Sequence, residues 1–175
     1  MGGLTGAALA VGGALLLRGG GDQHYRGLVP GATPRVLSPK ALGVLAALCA
    51  RVCPAPSEGH PGAAALRVAE RVDKELLFHT PKMRADLEAG LLLVEHGGLL
   101  HGEATRFTRR GPEAQDAYLA RMGVRGTALE RQAFSSVKLL ALFFYYCDER
   151  TWSAMHYEGP LVARKRPEAD SRGDA

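Results

Sequence analysis

The segment from Thr127 to Cys147 constrains the fold of this chain more than any other. Thr127 and Glu130 stand three residues apart in the pattern of a capping box, which marks the start of a helix. The residues from Val137 to Cys147 are apolar on almost every side, Lys138 excepted. A helix of this kind is buried on most of its faces. We therefore expect 128–147 to be the most buried helix, either central to the fold or facing a partner.

Four more helices are predicted by capping residues and by apolar residues at helical spacing. Ser38-Pro39 and Thr80-Pro81 each combine an N-cap with a proline at the first helical position. They open helices over about 39–52 and 81–96, and two further helices are expected over 63–78 and 112–122. No segment alternates with the period of a strand. The predicted fold class is all-α, a compact bundle of about five helices.

The chain divides into four segments by composition. Residues 1–20 include a 14-residue apolar run, Leu4 to Leu17, which has the length of the hydrophobic region of a signal peptide. Residues 21–36 are rich in Gly and Pro and are expected to be a linker. Residues 37–162 form the helical domain, flanked by a flexible N-terminal segment and a disordered polar tail over 163–175.

The apolar N-terminal run differs from a complete signal peptide in two respects. No basic residue precedes it and no Ala-x-Ala cleavage site follows it. A start codon assigned too far downstream would explain the missing basic region, and we expect an Arg-Arg pair in the reading frame upstream of Met1. The alternative is a floppy or hydrophobic N-terminal helix. A run of 14 residues is short for a membrane span, which takes about 20.

Charge and cysteine content exclude some classes of function. The net charge of +4 is scattered and forms no basic stripe, so nucleic acid is not an expected partner. Contact with a membrane is expected only through the N-terminal segment or through a complex. Three cysteines do not make a disulfide framework. Cys49 and Cys53 could pair with strain or act as small buried hydrophobes, which we favour, and Cys147 is expected to be buried at a helix end.

No motif for catalysis or for a cofactor is evident in the sequence. One cluster could bind a metal, since Glu95, His96, His101 and Glu103 are four possible ligands within nine residues. Polar residues around the end of a helix explain the cluster more simply. A stand-alone small helical enzyme or a metal-binding protein built on this cluster is the alternative to an interaction protein. We also considered a catalytic pair of Cys147 and His156, but no orienting group or oxyanion site accompanies it.

Aromatic residues crowd into the stretch from Phe143 to Tyr157. Aromatic and Met side chains are enriched at the buried centres of interfaces, and Trp and Tyr serve as anchors there. Phe144 and Tyr145 are assigned to the core of the chain itself. For the others, closing the core is the alternative to docking. The residues expected to dock a partner are Phe143, Tyr146, Trp152, Met155 and Tyr157.

The order of these signals resembles the gluconate 2-dehydrogenase subunit 3 family. The resemblance rests on LSPKALGVLAALCARVCPAP (37–56), LERQAFSSVKLLALFFYY (129–146) and WSAMHYEGPLV (152–162). In the last segment the family's turn begins with Gly, where this chain has His156. The resemblance implies a small subunit without a cofactor that accompanies a large FAD-dependent dehydrogenase of the glucose–methanol–choline type. It allows a cytochrome c subunit as a further partner.

The resemblance also implies export. Such subunits usually carry a twin-arginine signal that takes the folded complex into the periplasm or cell envelope. The expected function is therefore that of a non-catalytic accessory subunit in an oxidoreductase complex. Such a subunit docks on, stabilises and helps to export a sugar or alcohol dehydrogenase.

Overall fold

A computed structural model describes residues 22–57 and 60–159, and the fold over this part of the chain is all-α. No β-strand occurs among these residues, and the one isolated bridge joins Ser57 and His60. Short 3₁₀ turns connect several of the helices. In chain order the helices are α1 (Asp22–Leu28), α2 (Pro39–Val52), α3 (Val68–Glu75), α4 (Pro81–His96), α5 (Pro112–Arg125) and α6 (Ala128–Tyr146).

The capping residues begin the helices where the sequence predicts them. The hydroxyl of Ser38 accepts a hydrogen bond from the backbone N–H of Ala41 at 3.2 Å. Thr80 caps α4 in the same way. At α6, the capping box is complete, because the Glu130 carboxylate also accepts the backbone N–H of Thr127 at 2.7 Å. These local contacts satisfy N–H groups that the first turn of a helix leaves unpaired.

Two helix boundaries differ from the sequence prediction. The second predicted helix begins at Val68 rather than residue 63, because Arg67 adopts a left-handed backbone with φ of 52°. The fourth continues through Gly123 to Arg125. Gly123 is retained inside α5 because Phe134 of α6 packs against it, 3.0 Å from where a Cβ would lie. Tertiary packing therefore overrides the usual tendency of glycine to end a helix.

The most buried helix is α2, so the prediction that 128–147 would be most buried is wrong. The helix α2 contacts all five other helices and contributes a continuous buried series from Lys40 to Leu45, followed by Leu48 and Cys49. In α6, Val137, Ala141 and Tyr145 are buried, whereas Leu139 and Phe143 are 71% and 59% exposed. Two apolar faces on one helix explain the pattern, since only one of them turns inward.

The expected linker over 21–36 is also corrected, because its first part is helix α1 and packs on α2. Tyr25 of α1 is buried and fits against Gly43 of α2. A Cβ at Gly43 would lie 2.9 Å from the Cβ of Tyr25, so a side chain there would force the helices apart. One aromatic residue, rather than a repeating apolar pattern, anchors this short helix.

The connection from α1 to α2 is held by the buried carboxylate of Asp73 in α3. Its oxygens accept the backbone N–H groups of Arg35, Val36 and Leu37 at 2.6, 3.0 and 2.7 Å. Hydrogen bonds from backbone N–H groups to a carboxylate are charge-assisted and strong. This part of the chain is thus fixed to the domain.

Two predicted segments lie outside the described residues: the signal-like segment over 1–20 and the tail over 163–175. Within 22–57 and 60–159, no helix combines the length and apolar character needed to cross a bilayer.

Candidate docking surface

The five residues predicted to dock a partner lie at the end of α6 and in the turns that follow it. Phe143, Tyr146, Met155 and Tyr157 are among the exposed large hydrophobic residues, and Trp152 is half-buried. We call these five residues the aromatic patch. Their exposure is compatible with docking, and whether a partner binds there stays a prediction.

Trp152 is oriented by contacts within the patch. Its indole N–H donates to the backbone carbonyl of Tyr146 at 3.1 Å, and its ring meets that of Tyr157 edge to face, with centroids 5.1 Å apart. Gly159, with φ of 98°, lies beneath the ring, where a Cβ would be 3.2 Å from it. The indole is therefore held in place before any partner arrives.

The turn that carries Trp152 is attached to the bundle through Asp148. Its carboxylate accepts hydrogen bonds from Arg150 at 2.8 and 2.9 Å and from Arg71 of α3 at 3.0 Å. The hydrogen bond from Arg150, aided by the charge of Arg71, holds the pKa of Asp148 below its ordinary value although burial raises it. These ion pairs stabilise the turn that follows the end of α6.

A second apolar surface, which the sequence analysis missed, lies between α4 and α6. It is a groove of about 1070 Å³ that reaches from Met83 and Phe144 at one end to Leu100 and Leu129 at the other. Its floor includes Gly90, where a Cβ would lie 3.7 Å from that of Ala133, so the two helices cross closely. We call this feature the α4–α6 groove.

The α4–α6 groove adjoins the aromatic patch along α6. Leu140 lines the groove, and Phe143 follows it by three residues, so the two side chains are neighbours on the helix surface. Leu139 and Tyr146 extend the same exposed side of α6. Large contiguous apolar surfaces mark sites of interaction in soluble proteins. The sequence feature that indicates this surface is the nearly unbroken apolar run of α6. The run gives α6 more apolar faces than the core of the chain can bury.

The four side chains considered above as an alternative metal site do not form one, because three of them are held by separate partners. Glu95 is buried, and its carboxylate accepts hydrogen bonds from Tyr25 Oη at 2.8 Å, Thr108 Oγ1 at 2.7 Å and Thr108 N at 3.0 Å. These donors come from α1 and from the turn before α5. Glu95 therefore joins three parts of the fold through hydrogen bonds.

Of the other three side chains considered as metal ligands, two have partners of their own. His101 Nε2 lies 2.8 Å from the Glu130 carboxylate, and Glu103 accepts from Arg110 at 2.7 Å. The Nε2 atom of His96 is buried and has no hydrogen-bond partner within the described part of the chain. Over the same residues, no group of three or more His, Cys, Asp or Glu side chains could hold a metal ion.

The cysteines are free within the described structure. Cys49 and Cys53 are buried, in agreement with their prediction as small core residues. The hydrogen bond with Cys53, together with burial, raises the pKa of the Cys49 thiol well above its ordinary value. Cys147 is exposed, so its predicted burial is wrong. It directly follows the last residue of α6, on a side that faces solvent.

Comparison with known proteins gives one family. The family model described as gluconate 2-dehydrogenase subunit 3 matches residues 39–159. The match spans α2 to α6 and ends just after the aromatic patch. No curated protein and no solved structure matches the chain significantly.

Proposed function

Because this chain belongs to the gluconate 2-dehydrogenase subunit 3 family, we propose that it is the non-catalytic small subunit of an FAD-dependent dehydrogenase. The proposed partner is a large subunit of the glucose–methanol–choline type that oxidises a sugar or an alcohol. In this proposal the large subunit holds the flavin and performs the oxidation. The small subunit contributes binding surface.

The observation that carries the proposal is the joined apolar surface of the α4–α6 groove and the aromatic patch. Leu139, Phe143 and Leu129 expose more than half of their side-chain surface there. Removing apolar surface from water contributes about 25 cal/mol for each Å², from which the entropy cost of association is subtracted. Docking on the large subunit would therefore stabilise both chains, and the large subunit would be less stable alone.

The test is co-expression with the proposed FAD-dependent large subunit. We expect the two chains to purify together in a fixed ratio. We also expect the dehydrogenase alone to be less soluble, with a lower melting temperature. A dehydrogenase of equal yield, stability and activity without this chain, with no association between them, would refute the proposal.

We further propose that the complex is exported to the periplasm or cell envelope under the direction of the apolar segment from Leu4 to Leu17. Its 14-residue length is that of a signal-peptide hydrophobic region. The matched comparison is between the chain expressed from its full reading frame and the same chain beginning at Asp22, which keeps α1. We expect this shorter chain to bind the dehydrogenase normally but to leave it in the cytoplasmic fraction. An unchanged distribution between fractions would contradict export by this segment and leave docking unaffected.

A further inference from the structure

The two ends of the α4–α6 groove differ in charge. Neither Lys nor Arg is among the described residues that line it, and its formal charges are Glu75 and Asp86. Helices α4 and α6 are antiparallel, since Gly97 approaches Glu130 at one end. Glu75 and Asp86 line the groove together with Met83 and Phe144, and the guanidinium of Arg71, which pairs with Asp148, lies 5.8 Å from the centre of the Phe144 ring.

Glu75 differs from Asp86 in its surroundings. Asp86 accepts a hydrogen bond from Lys82 at 2.6 Å, one turn away on α4. Glu75 is half-buried beside the apolar groove, and across 22–57 and 60–159 it has no hydrogen-bond or ion-pair partner. An unpaired carboxylate beside an apolar surface can accept a basic side chain of a docking partner. The groove thus presents an acceptor for a cation at one end, whereas the end near Leu129 is lined mainly by apolar side chains, with His96 and Gln132 among them.

We propose that the α4–α6 groove receives an amphipathic helix of the dehydrogenase subunit, with a Lys or Arg of that helix paired to Glu75. The proposal rests on the proposed function and names the structure and charge of the partner element. The apolar face of the incoming helix lies between α4 and α6. Its basic residue lies at the end next to Glu75.

The walls of the groove favour a helix over an extended segment. Both walls are α-helices, whose backbone groups are already hydrogen-bonded to one another. An extended segment would bury its own N–H and C=O groups without partners, whereas a helix satisfies them internally. From Leu129 to Phe144 the groove follows α6 for about 22 Å at 1.5 Å per residue, so a helix of about 15 residues would fill it.

The charge of the groove also favours a basic protein segment over a fatty acid or phospholipid. An anionic headgroup placed at the polar end would meet the unpaired Glu75, and like charges in contact are unfavourable, whereas Asp86 is already paired with Lys82. The N-terminal end of a helix carries partial positive charge and would be favoured there. A helix entering with its N-terminus and a basic side chain toward Glu75 matches both features.

The first test measures the affinity of the purified chain for the purified dehydrogenase subunit. We expect Glu75→Lys to weaken binding by about tenfold or more, because it replaces an attraction with a repulsion. The control is Glu113→Lys, which makes the same charge change at an exposed site on α5 outside the groove. Glu113 lies in the first turn of α5, where a cation opposes the helix dipole, so the melting temperature of this variant is measured alongside its affinity. A lysine at position 75 lies in the last turn of α3, where a cation suits the helix dipole, so the fold should persist.

A second pair of variants tests the apolar wall. Leu129 and Val124 are 65% and 77% exposed, and Leu129 alone lines the groove. We expect Leu129→Gln to weaken binding and Val124→Gln to leave it unchanged, while both retain the melting temperature of the unaltered chain. Equal affinities for all four variants and the unaltered chain would overturn the groove proposal.

Cross-linking within the complex identifies the occupant. A photoreactive amino acid at Ser136, which lines the groove, should attach to one peptide of the dehydrogenase. That peptide should carry apolar residues at i, i+3, i+4 and i+7 and a Lys or Arg near one end. Changing that basic residue to Glu should restore the binding lost in Glu75→Lys.

Attachment to a second copy of this chain or to a lipid would overturn the proposal, as would attachment to a dehydrogenase segment without helical periodicity. A failure of the proposed function can be distinguished from a failure of the groove proposal. If the unaltered chain forms no complex with the dehydrogenase, both ideas fall. If the complex forms and the groove variants bind with unchanged affinity, only the inference about the groove is wrong.

Discussion

The hydroxyl of Tyr25 donates a hydrogen bond of 2.8 Å to Glu95, and both side chains are only 1% exposed. The two residues are 70 positions apart, so this bond joins α1 to the end of α4. Arg106 donates to the same hydroxyl at 3.3 Å. A buried carboxylate that loses a donor incurs a desolvation cost, which makes this contact important for stability.

We predict that Tyr25→Phe lowers the free energy of unfolding by about 1–3 kcal/mol, because the buried carboxylate of Glu95 loses a donor. The ring still packs on Gly43, so the change tests the hydroxyl and its two hydrogen bonds, one donated to Glu95 and one accepted from Arg106. Urea denaturation measures the effect, with Tyr157→Phe as the exposed control. If the two variants unfold at the same urea concentration, the buried hydrogen bond contributes nothing measurable.

We predict that the folded chain loses stability in mild acid because of His96. Burial, followed by the positive charges of Lys40 and Arg106, lowers the pKa of His96 from 6.5 to about 4 in the fold. Between these pH values the unfolded chain binds more protons than the folded chain. The free energy of unfolding should therefore fall as the pH drops from about 6.5 to about 4, and this contribution should level off below that.

The measurement is urea unfolding at several pH values for the unaltered chain and for His96→Gln. The variant should show a smaller dependence on pH between 6.5 and 4, and His156→Gln, altered at an exposed site, should show the full dependence. Identical slopes for His96→Gln and the unaltered chain would mean that His96 titrates normally in the fold.

Thiol reactivity tests the burial of the cysteines. In the native chain we expect one thiol, that of exposed Cys147, to react quickly with a chromogenic disulfide reagent, and the other two only on unfolding. The thiolate is the reactive form, and the raised pKa of Cys49 slows its reaction further. Because Cys147 follows Tyr146, binding of the dehydrogenase should slow its reaction if the aromatic patch is covered. Rapid reaction of all three thiols in the native chain would contradict this packing.

Trp152→Ala should affect both the chain alone and its complex. Removing the indole breaks its contacts with Tyr146 and Tyr157, so the melting temperature of the isolated chain should fall. Association should weaken by about 2 kcal/mol or more if the indole is an anchor of the interface. Thermal melting and co-purification separate the two effects. A lower melting temperature with unchanged association would assign Trp152 to the core of the chain.

The helices that begin with a capping residue could be predicted from the sequence, and those anchored by a single distant contact could not. Ser38, Thr80 and Thr127 form local hydrogen bonds that depend only on nearby residues, and their helices begin where expected. By contrast, α1 has no apolar repeat and depends on Tyr25 reaching Glu95 across 70 positions. A pattern of local sequence cannot reveal such a partner.

The docking surface was predictable only in part, for a related reason. The aromatic residues near Trp152 are conspicuous in composition, so the patch could be proposed from the sequence. The α4–α6 groove depends on which faces of two antiparallel helices remain uncovered. Met83 and Leu87 have the same helical spacing in the sequence whether their side chains are covered by another helix or exposed to solvent. The order of the helices along the chain does not settle that question.

The central claim is that the chain binds its dehydrogenase through the exposed side of α6, and Phe143 tests it most directly. Phe143 is 59% exposed, so Phe143→Ala should leave the melting temperature of the isolated chain almost unchanged. We predict that it weakens binding to the dehydrogenase by about 2 kcal/mol, or roughly 30-fold in Kd, while Val124→Ala has no effect. Equal Kd values for Phe143→Ala, Val124→Ala and the unaltered chain would show that the interface lies elsewhere and would contradict the account.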